Sequence, residues 1–460
     1  MADPTDTICA LSTPPGRSGL AVIRVSGPGA AAIYGSLFRP RTGPPAPPHG
    51  RAVLGRIVDP AGGADIDEAV ALYYRAPKSY TGEDLTEYSI HGSPVLVDAL
   101  LDCLCRSGAR LAVPGEFTMR AFLNGKMDLA EAEAVRDTID AATLYQAQVA
   151  ARQRWGGMAE AIGPVRERLT GLIAGLETAV EFVEQDLAVD GRAEVTASLG
   201  DLRGRLRKWI DSFERGRIVR EGFSLAVVGR PNAGKSSCFN ALLGQERSIV
   251  MDLPGTTRDL VSEHTSIGGI PVRLLDTAGV GAPGDPAAMI GADRTYRAIA
   301  DADAVLLVVD RSRGPGGEDL AFRDHLKPLR CIAVFNKSDL GTAWTPGEIL
   351  EFAGVWPSIE VSAKTGAGID RLRGMIFESL FGPGTPDQGG LLVTNLRHRQ
   401  CLQTVEAELE KAANALGHGL SEEFALVHLH QGLKALGAIT GETSVEDILE
   451  EIFSRFCIGK

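Results

Sequence analysis

At 460 residues the chain exceeds the ~250–300 residues that one hydrophobic core supports, so it divides into roughly two to four domains. Hydrophobic residues make up 44% and charged ones 23%, an ordinary globular mixture, and no apolar run approaches the ~20 residues of a membrane span. The net charge of −12 argues against a stand-alone nucleic-acid binder, whose affinity comes from neutralising phosphates; RNA contact is left to a local patch or a basic partner. The N-terminus has no basic flank or long apolar core. The seven cysteines show no zinc spacing, so a reduced, cytoplasmic protein with no membrane partner is expected.

Residues 1–122 alternate strands and turns, with strands expected at 20–25, 52–58, 69–74 and 85–90. A helix is expected at 94–106, burying Val95, Leu96, Leu100, Leu101 and Leu104. The proline-rich stretch 40–48 reads as a surface loop. Gly27-Pro28-Gly29-Ala30-Ala31-Ala32 imitates a dinucleotide fingerprint, but it carries a proline inside the phosphate turn and no acid about 20 residues on, so it reads as a turn into a helix. Cys103 and Cys105 point to different sides of their helix and read as packing. Residues 123–218 are helical, with stripes Val165, Leu169, Leu172, Ile173, Leu176 and then Leu199, Leu202, Leu206, Ile210, Phe213 that need partners. Residues 219–383 alternate strands (223–228, 270–275, 304–309, 331–335, 359–361) with helices, as in a mostly parallel, doubly wound sheet. Residues 384–460 return to helix. The simplest arrangement folds this tail onto 123–218 and makes the sheet domain an insertion.

The inserted segment carries the chemistry. Gly229-Arg230-Pro231-Asn232-Ala233-Gly234-Lys235-Ser236 fits G-x-x-x-x-G-K-[ST] between a strand and a helix that begins at Ser237. Backbone N–H groups there face an anion, Lys235 adds charge, and the Ser236 hydroxyl can hold Mg²⁺. A plain glycine turn explains the glycines but not Lys-Ser at the correct offset. Asp276-Thr277-Ala278-Gly279 places a carboxylate that reaches the metal through water. Within Met251-Asp252-Leu253-Pro254-Gly255-Thr256-Thr257, a threonine (Thr257) supplies a metal-binding hydroxyl. In Asn336-Lys337-Ser338-Asp339, the Asp339 carboxylate accepts two hydrogen bonds from a guanine edge, where adenine presents the wrong donors. Ser362-Ala363-Lys364 closes over the base. Five weak motifs in order at strand ends point to GTP.

Further stretches extend the pattern along the whole chain: Asp6-Thr7-Ile8, Thr13-Pro14-Pro15-Gly16, Val22-Ile23-Arg24-Val25-Ser26-Gly27, Tyr80-Thr81-Gly82-Glu83-Asp84, the run from Pro114-Gly115-Glu116-Phe117-Thr118 to Asp128-Leu129, Gly255-Thr256-Thr257-Arg258-Asp259, and the terminal Cys457-Ile458-Gly459-Lys460. With these the chain resembles the MnmE (TrmE) family of tRNA-modification GTPases. The resemblance implies a multidomain α/β and α+β protein. Its parts are an N-terminal α+β folate-binding and dimerisation domain (1–122), a discontinuous helical domain (123–218 and 384–460) and an inserted Ras-like, doubly wound α/β GTPase domain (219–383). It implies a homodimer working on tRNA with an MnmG/GidA-like flavoprotein, in a heterotetramer or larger complex. FAD and NADH belong to that partner. The pair adds an aminomethyl or carboxymethylaminomethyl group to carbon 5 of the wobble uridine, using a formyl- or methylene-tetrahydrofolate derivative.

Carried over position by position, the resemblance puts folate contacts at Arg24, Glu87, Lys126 and Lys460. It puts Cys457 near that site without a chemical role. A C-terminal lipidation reading of Cys457 fits Gly459-Lys460 poorly. It also implies a K⁺ ion in place of an arginine finger, held by Asn232, Met251, Leu253 and Thr256 and enclosed when two GTPase domains meet. Val280 stands where Ras-like enzymes carry glutamine. Gly281 and Ala288 stand at the family's arginine and glutamate, so Asp285 is the candidate acid to orient water and turnover is expected to be modest. The alternatives are a ribosome-assembly or signalling switch GTPase, and a folate-dependent transferase with a regulatory GTPase insert.

Overall fold

The computed structural model describes residues 6–42, 46–181, 189–244, 262–276, 299–300, 302–382, 391–443 and 446–459. The described chain forms two compact units, one of 1–136, 152–174 and 429–460 and the other of 137–151 and 175–428.

The first unit is built on a sheet of β1 (Ile8–Leu11), β2 (Ser18–Ser26), β3 (Phe38–Pro40), β4 (Ala52–Val58), β5 (Asp65–Tyr74), β6 (Leu85–Gly92) and β7 (Arg110–Leu111), in the order β3-β4-β5-β6-β2-β1-β7. All pairings are antiparallel except β1 with β7. Strand alternation turns Ile23, Val25, Ala71, Tyr88 and Ile90 to one face, where α1 (Ala30–Leu37) and α2 (Pro94–Arg106) cover them. The face expected for α2 is shifted by the structure. Val97, Leu100, Cys103 and Leu104 are buried, whereas Val95 is 76% exposed. Pro94 starts the helix and leaves Val95 in its first turn facing out, and Cys103 fills the place in the core. The short strands β1, β3 and β7 carry too few residues to show a period.

Helices α3 (Glu116–Leu123) and α4 (Leu129–Asp140) receive the last helix, Glu446–Ser454, and the residues just after it: Leu449, Phe453 and then Phe456 pack with Met119, Leu129 and Val135. The tail then runs to β1, where Ser12 Oγ donates to Gly459 O at 3.0 Å. This part of the tail thus sits on α3 as well as on the helical segment expected to receive it.

Next come α5 (Leu144–Arg152), α6 (Met158–Glu181), α7 (Val189–Asp211) and α8 (Phe213–Glu221). Leu199, Leu202 and Leu206 of α7 and Leu402, Val405 and Leu409 of helix Leu396–Gly417 are buried, and the two helices run against each other. Arg203 pairs with Glu406 at 3.0 Å across them.

The nucleotide sheet follows: β8 (Phe223–Val228), β9 (Ser262–Ile267), β10 (Ile270–Asp276), β11 (Ala304–Asp310), β12 (Cys331–Asn336) and β13 (Ser358–Glu360), ordered β13-β12-β11-β8-β10-β9. All pairings are parallel except β9 with β10. Continuous apolar runs such as 304–309 of β11, buried throughout, mark strands covered on both faces. Among the described residues no helix is long and apolar enough to cross a membrane.

Candidate functional site

The carboxyl ends of parallel strands are where a doubly wound sheet binds its ligand. Four of these ends, those of β8, β10, β12 and β13, carry the motifs. The turn after β8 leads into α9 (Lys235–Leu243) through Gly234, whose φ of 94° is open to glycine and costly for other residues. A Cβ at Gly234 would also collide with the Asn336 amide. Asn232 takes a left-handed φ of 63° at the exposed rim of the turn, while Ala233 is buried. Ser236 and Ser237 open the helix and are exposed.

Lys235 is buried, and its Nζ donates to Gly229 O at 3.0 Å and Arg230 O at 2.9 Å, closing the loop on itself. Burial lowers its pKa while the Asp276 carboxylate opposes that shift. Asp276 ends β10 and hydrogen-bonds Ser236. Burial raises its pKa against the pull of Lys235 and Ser236, and its Oδ1 is buried with no hydrogen-bond partner among the described residues. A carboxylate oxygen in that state beside a phosphate-loop serine fits the surroundings of a hydrated divalent cation.

Asn336 holds the two ends of the site together. It is 3% exposed; its Nδ2 donates to Ala233 O at 3.0 Å, and its Oδ1 accepts from Ala363 N at 3.0 Å. One side chain thereby joins the phosphate loop, the loop after β12 and the loop after β13. Asp339 is exposed and accepts from Ser362 Oγ at 2.7 Å, and that bond holds its pKa below the ordinary value. Lys364 lies close enough to lower it further. Lys337 has a left-handed φ of 66° and its Nζ reaches Asp310 Oδ2 at 2.7 Å.

Asp310 was not among the residues singled out from sequence, and neither was Asp319. The signal for Asp310 was a carboxylate at the end of a fully apolar parallel strand, where ligands and their supports gather. Met251, Asp252, Leu253, Pro254, Gly255, Thr256, Thr257, Thr277, Ala278, Gly279, Asp285 and Lys460 lie outside the described residues.

On the first unit, Arg24 and Glu87 face each other across β2 and β6, Nε to Oε1 at 2.7 Å. They lie on the sheet face opposite α1 and α2. The Arg24 guanidinium sits 5.5 Å from the Tyr80 ring centroid, a cation–π distance. Tyr80 belongs to the loop between β5 and β6, and Lys126 meets the same loop, its Nζ donating to Pro77 O at 3.0 Å. Beneath that loop lies a charged cluster in which Arg120 Nη2 reaches Asp6 Oδ1 at 2.6 Å and Glu116 Oε1 at 3.0 Å, and Nη1 reaches Glu83 at 3.2 Å. Cys457 is exposed near the same helix, its carbonyl accepting from Gly115 N at 3.4 Å.

Residues 7–126 match the family model "GTP-binding protein TrmE N-terminus" and 129–457 match "MnmE helical domain". The tRNA modification GTPase MnmE of Koribacter versatilis is 43% identical over 457 residues, covering 99% of each chain. That of Heliobacterium modesticaldum is 41% identical over 470 residues, again covering 99% of each. The solved G domain of the T. maritima FeoB iron transporter is 28% identical over 34% of this chain and 98% of that one, with a TM-score of 0.28. Full-length identity at this level, together with both matched models, shows that the chain belongs to the MnmE (TrmE) family of tRNA modification GTPases.

Proposed function

We propose that this chain binds and hydrolyses GTP to drive a two-protein modification of carbon 5 of the wobble uridine in tRNA. The observation that carries the reading is Asn336, which joins a phosphate loop to a guanine-selecting Asp339–Ser362 pair. It does so inside a chain related to tRNA modification GTPases along its whole length.

In this reading the phosphate loop wraps the triphosphate with its N–H groups, and Lys235 leaves the loop carbonyls for the phosphate oxygens. Ser236 and Thr257 would hold Mg²⁺, with Asp276 acting through water; the buried Asp276 Oδ1, without a hydrogen-bond partner among the described residues, supports this. Bound Mg²⁺ and K⁺ would supply positive charge where negative charge builds between the β- and γ-phosphates. Asn232, Met251, Leu253 and Thr256 are the proposed potassium holders, supported by the exposed left-handed turn at Asn232. Asp285 is the proposed acid that orients water, and pairing of two GTPase domains in a homodimer completes the site.

Folate is proposed on the sheet face of the first unit. Arg24 and Glu87 are bonded to each other and so act at one end, offering a carboxylate to the pterin donors. Lys126 and Lys460 are left for the carboxylates of the glutamate tail. A flavoprotein of the MnmG/GidA kind, with FAD and NADH, is the proposed partner, and Cys457 keeps no assigned role.

Nucleoside analysis of bulk tRNA from a strain lacking this gene tests the reading: the C5-substituted wobble uridines should vanish and return on complementation. An unchanged nucleoside profile overturns it. GTP turnover should be several-fold faster in potassium than in sodium buffer, and equal rates overturn the ion-finger part.

A further inference from the structure

In the nucleotide sheet β11 lies between β8 and β12. The phosphate loop leaves β8 and the guanine loop leaves β12, so whatever follows β11 is wedged between the two. That connection runs from Asp310 to Asp319, the latter in the first turn of helix Gly317–Leu326.

Both acids are withdrawn from solvent and each is committed to one of the neighbouring loops. Asp319 is 1% exposed; its Oδ2 pairs with Arg230 Nη2 at 2.8 Å and accepts from Gly316 N at 3.0 Å. Arg230 is the second residue of the phosphate loop, and its carbonyl is one of the two that Lys235 grips. Asp310, also buried, pairs with Lys337 of the guanine loop at 2.7 Å and accepts from Ser312 Oγ at 2.6 Å. Between them, Arg311 Nη2 reaches Glu360 at 3.0 Å on β13, just before Ser362-Ala363-Lys364. Ion pairs that are both buried and hydrogen-bonded hold geometry far better than exposed ones, because breaking them strands a charge.

We propose that Asp319 and Asp310 are positioning residues for GTP: one connection braces the phosphate loop through Arg230 and the guanine loop through Lys337. Neither acid faces the nucleotide; each fixes a loop that does. The Asn336 amide holds the same loops by neutral hydrogen bonds, and the two ion pairs fix their separation from the other side. This rests on the GTP reading above.

The test uses the full-length chain and the fluorescent N-methylanthraniloyl derivatives of GDP and IDP, the latter lacking the guanine 2-amino group. Asp319→Asn keeps the acceptor for Gly316 N and removes the charge. It should weaken GDP and IDP alike, by about tenfold, leaving their ratio unchanged, because only the phosphate end loosens. Asp310→Asn should narrow the GDP/IDP ratio by about threefold or more, because it loosens the end that reads the base. A brace that is merely structural would lower the melting temperature without this split between the two readouts. Should Asp319→Asn not fold, Arg230→Gln, whose side chain is 20% exposed, carries the same expectation. Folded variants with affinities and ratios within twofold of the parent overturn the brace alone. Failure of the parent chain to bind GDP overturns both the brace and the GTP reading.

Discussion

Replacing Arg120 with methionine isolates the charged cluster beneath the loop between β5 and β6. Arg120 is 1% exposed and contacts three carboxylates: Asp6 at 2.6 Å, Glu116 at 3.0 Å and Glu83 at 3.2 Å. Arg110 is the second cation of the cluster, reaching Asp6 and Glu116 at 2.5 Å each. Methionine nearly fills the volume of the arginine stem, so the packing loss is small and the missing charge dominates. Removing one partner of a buried pair costs ~3–5 kcal/mol. Asp6 is about a third exposed and can turn to water, which pulls the expectation to the lower end, about 3 kcal/mol. At 1.36 kcal/mol per factor of ten, amide hydrogen exchange in β1, β2 and β6 should quicken by about 100-fold. Mass spectrometry of peptic peptides reads each unit separately, so β8, β11 and β12 serve as the internal reference. An acceleration below threefold in β1, β2 and β6 would show that the cluster is not what holds them, and the electrostatic reasoning would be wrong.

The same cluster predicts a pH response. Burial works to raise the Asp6 and Glu116 carboxyls, and the guanidiniums overcome it, leaving both below their ordinary values of 3.8 and 4.5. Depressed carboxylates stabilise the fold above their unfolded pKa and lose that contribution as pH falls through the folded one. The first unit should therefore lose exchange protection below about pH 4.5, and Arg120→Met should flatten that loss. In the second unit, Asn336→Ala leaves Ala233 O and Ala363 N without their partner, at about 1–3 kcal/mol each. GDP affinity by fluorescence titration should fall at least 30-fold or so, and a change under threefold would contradict the joining role. On the sheet face, Glu87→Gln keeps the shape but ends the charge pair with Arg24. Calorimetry with 5-formyltetrahydrofolate should show about tenfold weaker binding, and unchanged affinity would remove Glu87 from the site.

What the sequence revealed depended on how local the determinant was. The phosphate loop was legible because its glycines, lysine and serine act through fixed spacing along one turn. The long stripes of α6 and α7 were legible because each shows several turns of period. The face of α2 was not, since nearly every position in Pro94–Arg106 is apolar and only the core decides which ones enter it. Nor was the Arg120 cluster, whose partner Asp6 lies 114 residues away. Asp319 and Arg230 were invisible as a pair for the same reason. Their meaning lies in the strand order, which no single stretch of sequence spells out.

Helix α8 explains why the helical segment and the nucleotide sheet form one compact unit. Its Ile218 and Val219 are buried in the sheet's own core, beside Phe223 and Ile270. Arg217 reaches Asp303 at 3.1 Å, and Asp303 accepts from Ser224 N at 2.8 Å, which fastens α8 to the starts of β8 and β11 together. On its other side the chain leaving the sheet crosses back over α8: Val393 N donates to Ser212 Oγ at 3.2 Å, and its carbonyl lies where any side chain at Gly216 would stand. Arg220 adds a third hold, pairing with Asp137 at 2.7 Å while its carbonyl accepts from Gln146. The sheet is thus entered and left at one helix, and that helix is gripped from the sheet, from the returning chain and from α4 and α5. Because Ile218 and Val219 belong to the same core as β8 and β11, the helical segment and the sheet are joined by packed side chains as well as by the chain itself.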